Sequence, residues 1–150
     1  MILLKCLIAG RKISKLGADG FTHWKYDSGN YAKGKLHEVA YYKGKTSASG
    51  TSTYLYMGLM AANDISIEGE SFCSEYSFDA FNRVYYTRYP ANNFAVKNTY
   101  TSLGYLSSFE NATYGHREFG KVYEKITKMN YRGQVTEMEF ANRSKETKKS

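Results

Sequence analysis

The chain has 150 residues, the usual size of one domain, and its 42% hydrophobic and 23% charged residues are ordinary globular values that argue against disorder of the whole. A formal net charge of +7 and 15 tyrosines set it apart. No basic leader precedes its first apolar run, no apolar stretch approaches the ~20 residues that cross a bilayer, and the only cysteines are Cys6 and Cys73; a cytoplasmic protein with reduced thiols and no membrane span is expected.

The charge is uneven. Residues 1–60 carry nine Lys/Arg against three Asp/Glu, residues 61–90 two against five, and residues 91–150 ten against six. Basic flanks around an acidic middle suit a polyanionic partner, although +7 also lies within the range that keeps any small domain soluble.

In chain order, residues 2–9 form an apolar run of strand length that ends at Gly10. Turn signals at 17–20 and 27–30 bracket an aromatic stretch at 21–26, as in a meander. Tyr31-Ala32-Lys33-Gly34-Lys35 then recurs as Tyr41-Tyr42-Lys43-Gly44-Lys45, with a strand expected at 36–42 between the copies. The two Lys-Gly-Lys elements read either as hairpin turns with solvated lysines or as phosphate contacts in which glycine lets backbone N–H groups approach an anion. Residues 45–53, all small or polar, predict a mobile loop, and 53–57 alternate as a strand.

Residues 64–70 have period two: Ile65 and Ile67 point one way, and Asp64, Ser66, Glu68 and Glu70 the other. Three carboxylates on one strand face suit either solvent or Mg²⁺. The best helix signal is 77–89, with Phe78, Phe81, Tyr85 and Tyr89 on one stripe, Ser77 as N-cap and Pro90 as stop. Val84-Tyr85-Tyr86-Thr87 also suits a strand. Short strands are expected at 94–96 and 100–106, a loop at 111–116, and strands at 121–128 and 135–140 flanking a hairpin tip that carries Tyr131 and Arg132. Residues 143–150 lack apolar side chains and predict a disordered basic tail.

The reading is a single compact domain at 1–142 of α+β, β-rich class: an antiparallel meander or partly open barrel with one main helix near 77–89, followed by the tail at 143–150.

No catalytic motif emerges. His23, His37 and His116 are scattered, neither cysteine belongs to a Cys-x-x-Cys pair, and phosphate-loop, dinucleotide and serine-elbow patterns are absent from the sequence. Neither a catalytic residue, nor a metal, nor a cofactor is assigned. A histidine ribonuclease would require the fold to bring together residues such as His37 and His116.

The main functional signal is aromatic and basic interleaving. Cations hold phosphates and aromatic faces stack bases, at about 1–3 kcal/mol per base. The candidate nucleic-acid contacts are Lys33, Lys35, Lys43, Lys45, Arg83, Arg88 and Arg132, with Tyr42, Tyr86 and Tyr131 as stacking residues. The expected function is a non-enzymatic binding protein for nucleic acid or a nucleic-acid-handling complex. The alternatives are a protein-binding modulator or inhibitor of a host enzyme, since Tyr and Arg also dominate protein interfaces, and then a small nuclease or nucleotide-processing enzyme.

Overall fold

The computed structural model describes residues 3–6 and 10–148. Contacts group the chain into two units, residues 1–75 and 76–150. In unit 1, β1 (Leu3–Cys6), β2 (Lys12–Gly17), β3 (Gly20–Tyr26), β4 (Leu36–Lys43), β5 (Thr46–Tyr54), β6 (Met60–Ile67) and β7 (Glu70–Phe78) each pair antiparallel with the next. The last residues of β7 fall in unit 2. There β8 (Val84–Arg88), β9 (Ala95–Tyr100), β10 (Leu106–Asn111), β11 (Val122–Met129), β12 (Val135–Phe140) and β13 (Lys145–Thr147) do the same. The protein is β-rich and built as an open antiparallel meander; apart from a short 3₁₀ turn at Ala91–Asn93, no helix occurs among the described residues.

The meander agrees with the sequence, whereas the helix at 77–89 does not form. The segment is the end of β7, a turn at 79–83, and β8. Asp79 explains the difference: its Oδ1 accepts the N–H groups of Phe81 and Arg83, its Oδ2 accepts Arg83 Nε at 2.7 Å, and Asn82 turns left-handed at φ 62°. This closes a hairpin where a helix would need its second turn, and the β-branched and aromatic run 84–87 then extends.

Two further expectations are corrected. Residues 46–54 form β5 rather than a mobile loop, because β4 and β6 saturate both of its edges. The tail is not disordered through 148: Lys145–Thr147 pair with Glu137–Glu139, and Lys148 N donates to Thr136 O at 2.9 Å. Of the expected first strand, residues 3–6 form β1 and residues 2 and 7–9 lie outside the described set.

One turn recurs. At 55–59, 79–83, 101–105, 130–134 and 140–144 the first residue's N–H donates to the fifth residue's carbonyl and the fourth residue's N–H to the first residue's carbonyl. The fourth residue is left-handed each time: Gly58, Asn82, Gly104, Gly133 and Arg143, at φ between 62° and 88°. This is a type I turn closed by a bulge, which lets two residues project beyond the strand ends.

Few described side chains are buried: Ala32 and Ala40 in unit 1, and Ala95, Asn111 and Thr113 in unit 2. Each sheet is nevertheless two-faced. Residues paired across strands share a face, so in unit 1 one face carries the row Trp24, Val39, Gly50, Ile65 and Phe72. The opposite face carries Lys25, Glu38, Thr51, Asp64 and Cys73. Unit 2 has an ionic face on which Lys97 meets Glu110 at 2.5 Å and Lys128 meets Glu137 at 2.8 Å.

Candidate binding surfaces at the hairpin ends

In unit 1 the loop at 27–35 is built around Asp27. Its backbone is left-handed at φ 59°, its N–H donates to Lys35 O, Oδ2 accepts Arg11 Nη1 at 2.9 Å, and Oδ1 accepts the N–H of Gly34. Buried Ala32 pins the centre through its carbonyl, which accepts Lys35 N at 2.9 Å. The loop thereby holds Tyr31 outward, 59% exposed, where its ring meets that of Tyr56 edge-on at 6.5 Å. Tyr56 and Met57 are the two projecting residues of the turn at 55–59, 76% and 51% exposed. Lys33 lies on the same loop, and Lys35 places its ammonium 5.3 Å from the Tyr54 ring centroid. Tyr54 is fixed in turn by a 2.6 Å hydrogen bond from its hydroxyl to Leu36 O.

Lys43 and Lys45 lie at the other end of β4, in its turn to β5. Eight strand residues at about 3.4 Å each put the two Lys-Gly-Lys elements roughly 27 Å apart. Tyr42 is exposed there and stacks on Phe21, with centroids 6.5 Å apart. The nearby Asp19 is held below the usual carboxylate range by a hydrogen bond from Lys15, with a smaller push from Lys43.

The candidates in unit 2 also separate. Arg83 is committed to Asp79, whose carboxyl it holds below the usual range, and its guanidinium lies 4.2 Å from the Tyr100 ring centroid. Arg88 and Tyr86 sit on β8, opposite Ala95 and Lys97. Tyr131 and Arg132 project from the turn at 130–134; Tyr131 is 89% exposed with the guanidinium 5.2 Å from its ring centroid. The fold therefore brings Lys33 and Lys35 together, and separately Tyr42 with Lys43 and Lys45, and Tyr131 with Arg132.

Sequence reasoning did not single out Tyr31, Tyr56 or Met57 as site residues. The available signal was Leu55-Tyr56-Met57-Gly58-Leu59, a glycine one residue before the end of a turn, which reads as a strand when only alternation is followed. It also passed over Asn111, the most deeply buried polar residue among those described. Asn111 Nδ2 donates to Tyr123 Oη at 2.8 Å and lies 3.2 Å from His116 Nδ1, while its Oδ1 accepts Thr113 N at 2.8 Å. Thr113 Oγ1 in turn accepts the N–H of Ala95 at 2.8 Å. This network anchors the loop 112–121, on which Tyr114 is 97% exposed.

Two of the three histidines have hydrogen-bond partners: His37 Nδ1 lies 3.0 Å from Ser52 O, and His116 Nδ1 accepts Glu118 N at 3.1 Å. The carboxylate face expected at 64–70 is divided, because Asp64 pairs with Cys73 whereas Glu70, on β7, pairs with Ile67 and shares its face. Among the described residues no group of three His, Cys, Asp or Glu side chains is placed to hold a metal ion, and no helix is long and apolar enough to cross a membrane. No family model and no curated protein matches the chain.

Proposed function

We propose that this chain is a non-enzymatic binding protein that presents rigidly held aromatic side chains, flanked by lysines, from its hairpin ends to a protein partner. The observation that carries this reading is the Tyr31–Tyr56 pair. Two rings from separate loops pack against each other and remain 59% and 76% exposed, beside Met57 and Lys33. Large amphipathic rings immobilised before contact are the anchors that dominate protein interfaces, because their ordering cost is already met. A polyanion groove needs cations along one track, and the candidate cations of unit 1 instead divide between the opposite ends of β4.

The test is capture with purified protein after nuclease treatment, comparing wild type with a Tyr31→Ala/Tyr56→Ala double variant. A partner retained by wild type and lost by the variant, at equal thermal stability, supports the proposal. Equal retention by both refutes it.

Nucleic acid is the second reading. It is favoured by the Tyr131–Arg132 tip and by Tyr42 beside Lys43 and Lys45. In that case affinity for single-stranded RNA or DNA falls with salt by a log–log slope of about 0.7 per phosphate neutralised. Absence of binding, or a flat salt dependence, removes it.

A further inference from the structure

The apolar side of unit 1 lies open, with no element packed over it among the described residues. The central row, Val39, Gly50, Ile65 and Phe72 on β4 to β7, carries no polar side chain, and the row beside it contributes Tyr41, Ala48 and Ile67, with Glu70 at its β7 end. Ile65, Ile67 and Phe72 are 40%, 48% and 40% exposed there. Between Thr46 and Tyr54 at its ends, β5 gives this face only Ala48, Gly50 and Ser52, so the middle of the strand is the floor of a hollow of about 420 Å³. A Cβ added at Gly50 would lie 3.3 Å from Val39 Cγ1, so even one methyl group there would crowd β4. The next strand, β6, raises Ile65 and Ile67 as a ridge in register with that floor: Ile67 beside Ala48, and Ile65 beside Gly50.

A trough and a ridge side by side make a surface complementary to itself. Closed twofold pairs require the same patch on both partners. A twofold axis parallel to the strands, above the line between β5 and β6, lays the ridge of each copy into the trough of the other. Ile67 then covers Ala48, Ile65 covers Gly50, and Phe72 covers Val39.

We infer that this protein forms a homodimer through the β4–β7 apolar face, with the β6 ridge of each copy seated in the β5 trough of the other. With the rows of Ser52 and Asn63 and of Lys43 and Thr46 as a polar rim around the two apolar rows, four strands at about 4.8 Å by about 27 Å of strand length give roughly 500 Å² per copy before side-chain relief, so the pair reaches the roughly 1,000 Å² that a specific interface needs. The opposite face suits pairing less, because the Lys25–Glu38 ion pair and Asp64 stand in its middle row, whereas Glu70 stands at the β7 margin of the apolar face. Tyr31 and Tyr56 lie on the loops, so this pairing does not depend on the partner proposed above.

Sedimentation equilibrium across a concentration series tests the inference, with far-UV circular dichroism to confirm that each variant is folded. Wild type is expected at twice 17.1 kDa. Ile65→Lys, which buries a charge twice in a twofold interface, should weaken association by about 100-fold or more. Ser66→Lys puts the same charge on the same strand but on the other face, and should leave the dimer intact. Ala48→Leu is the sharper variant: it makes the face more apolar but fills the trough, and should weaken association at least about tenfold by over-packing. A monomeric wild type overturns the inference. So do a dimer indifferent to Ile65→Lys, equal loss with Ser66→Lys, and association unchanged or strengthened by Ala48→Leu, the last being the mark of unspecific apolar adhesion.

Discussion

Replacing Asn111 by alanine is the most demanding test of how unit 2 is held together. Asn111 is 1% exposed and its side chain serves three partners: Thr113 N, Tyr123 Oη and His116 Nδ1. These losses are unequal. Thr113 is itself only 7% exposed, so its N–H is left buried without an acceptor, at about 1–3 kcal/mol. Tyr123 is half-buried and His116 is exposed, so both regain water and cost about 0.5–1 kcal/mol each. The expected destabilisation is therefore about 3 kcal/mol, measured by urea unfolding. Tyr123→Phe, which strands one N–H of the buried Asn111 Nδ2 but leaves its contacts to Thr113 and His116 in place, should cost less, about 1–2 kcal/mol. Amide exchange adds a local readout: the N–H groups of Thr113 and Ala95, the second bonded to Thr113 Oγ1, should lose protection before those of β11 and β12. If Asn111→Ala costs under about 1 kcal/mol, or no more than Tyr123→Phe, the loop 112–121 is not anchored as described.

Three further outcomes are expected. In Gly133→Ala the new methyl would collide with the Tyr105 ring at a position whose φ is +75°; it should destabilise by more than about 1 kcal/mol, and Tyr105→Ala in the same chain should recover only the steric part, as double-mutant unfolding would show. The hydrogen bond from Arg83 holds Asp79 below the usual carboxylate range, so the pair's contribution is complete above about pH 4 and fades as pH falls through the lower folded value. Thermal unfolding between pH 5 and pH 2 should fall less steeply in Asp79→Asn than in wild type; identical profiles would refute the assignment. The Glu110 hydrogen bond holds Lys97 above the usual lysine range, which gives the opposite sign: its contribution is complete below about pH 10 and lost above, and Glu110→Gln should flatten wild-type stability over that alkaline window.

Part of the candidate surface was legible before folding and part was not. Tyr131 and Arg132 were placed on a hairpin tip by the strand signals on either side, and the tip is there. Tyr31 and Tyr56 are 25 residues apart in sequence and meet only because β4 and β5 fold back between their loops, so no local pattern announces the pair. Arg83 looked available from its basic and aromatic neighbours; the turn at 79–83 delivers it to Asp79 instead.

What the sequence determined by itself is the strand vocabulary: aromatic, threonine and β-branched runs punctuated by glycine, with alternation clear enough to separate Ile65 and Ile67 from Asp64 and Ser66. Tertiary structure decided the rest. A stripe at 78, 81, 85 and 89 fits a helix as a repeat of 3.6, yet a carboxylate at Asp79 and a left-handed Asn82 convert it to a hairpin, because a turn closed by side-chain hydrogen bonds competes directly with helical ones. β5 and β13 carry almost no apolar residues and gain their structure from the edges they pair with. Register, too, is collective: only the ladder from β3 to β7 aligns Trp24, Val39, Gly50, Ile65 and Phe72 into one apolar row, since each strand's period of two leaves open which neighbour its residues will face.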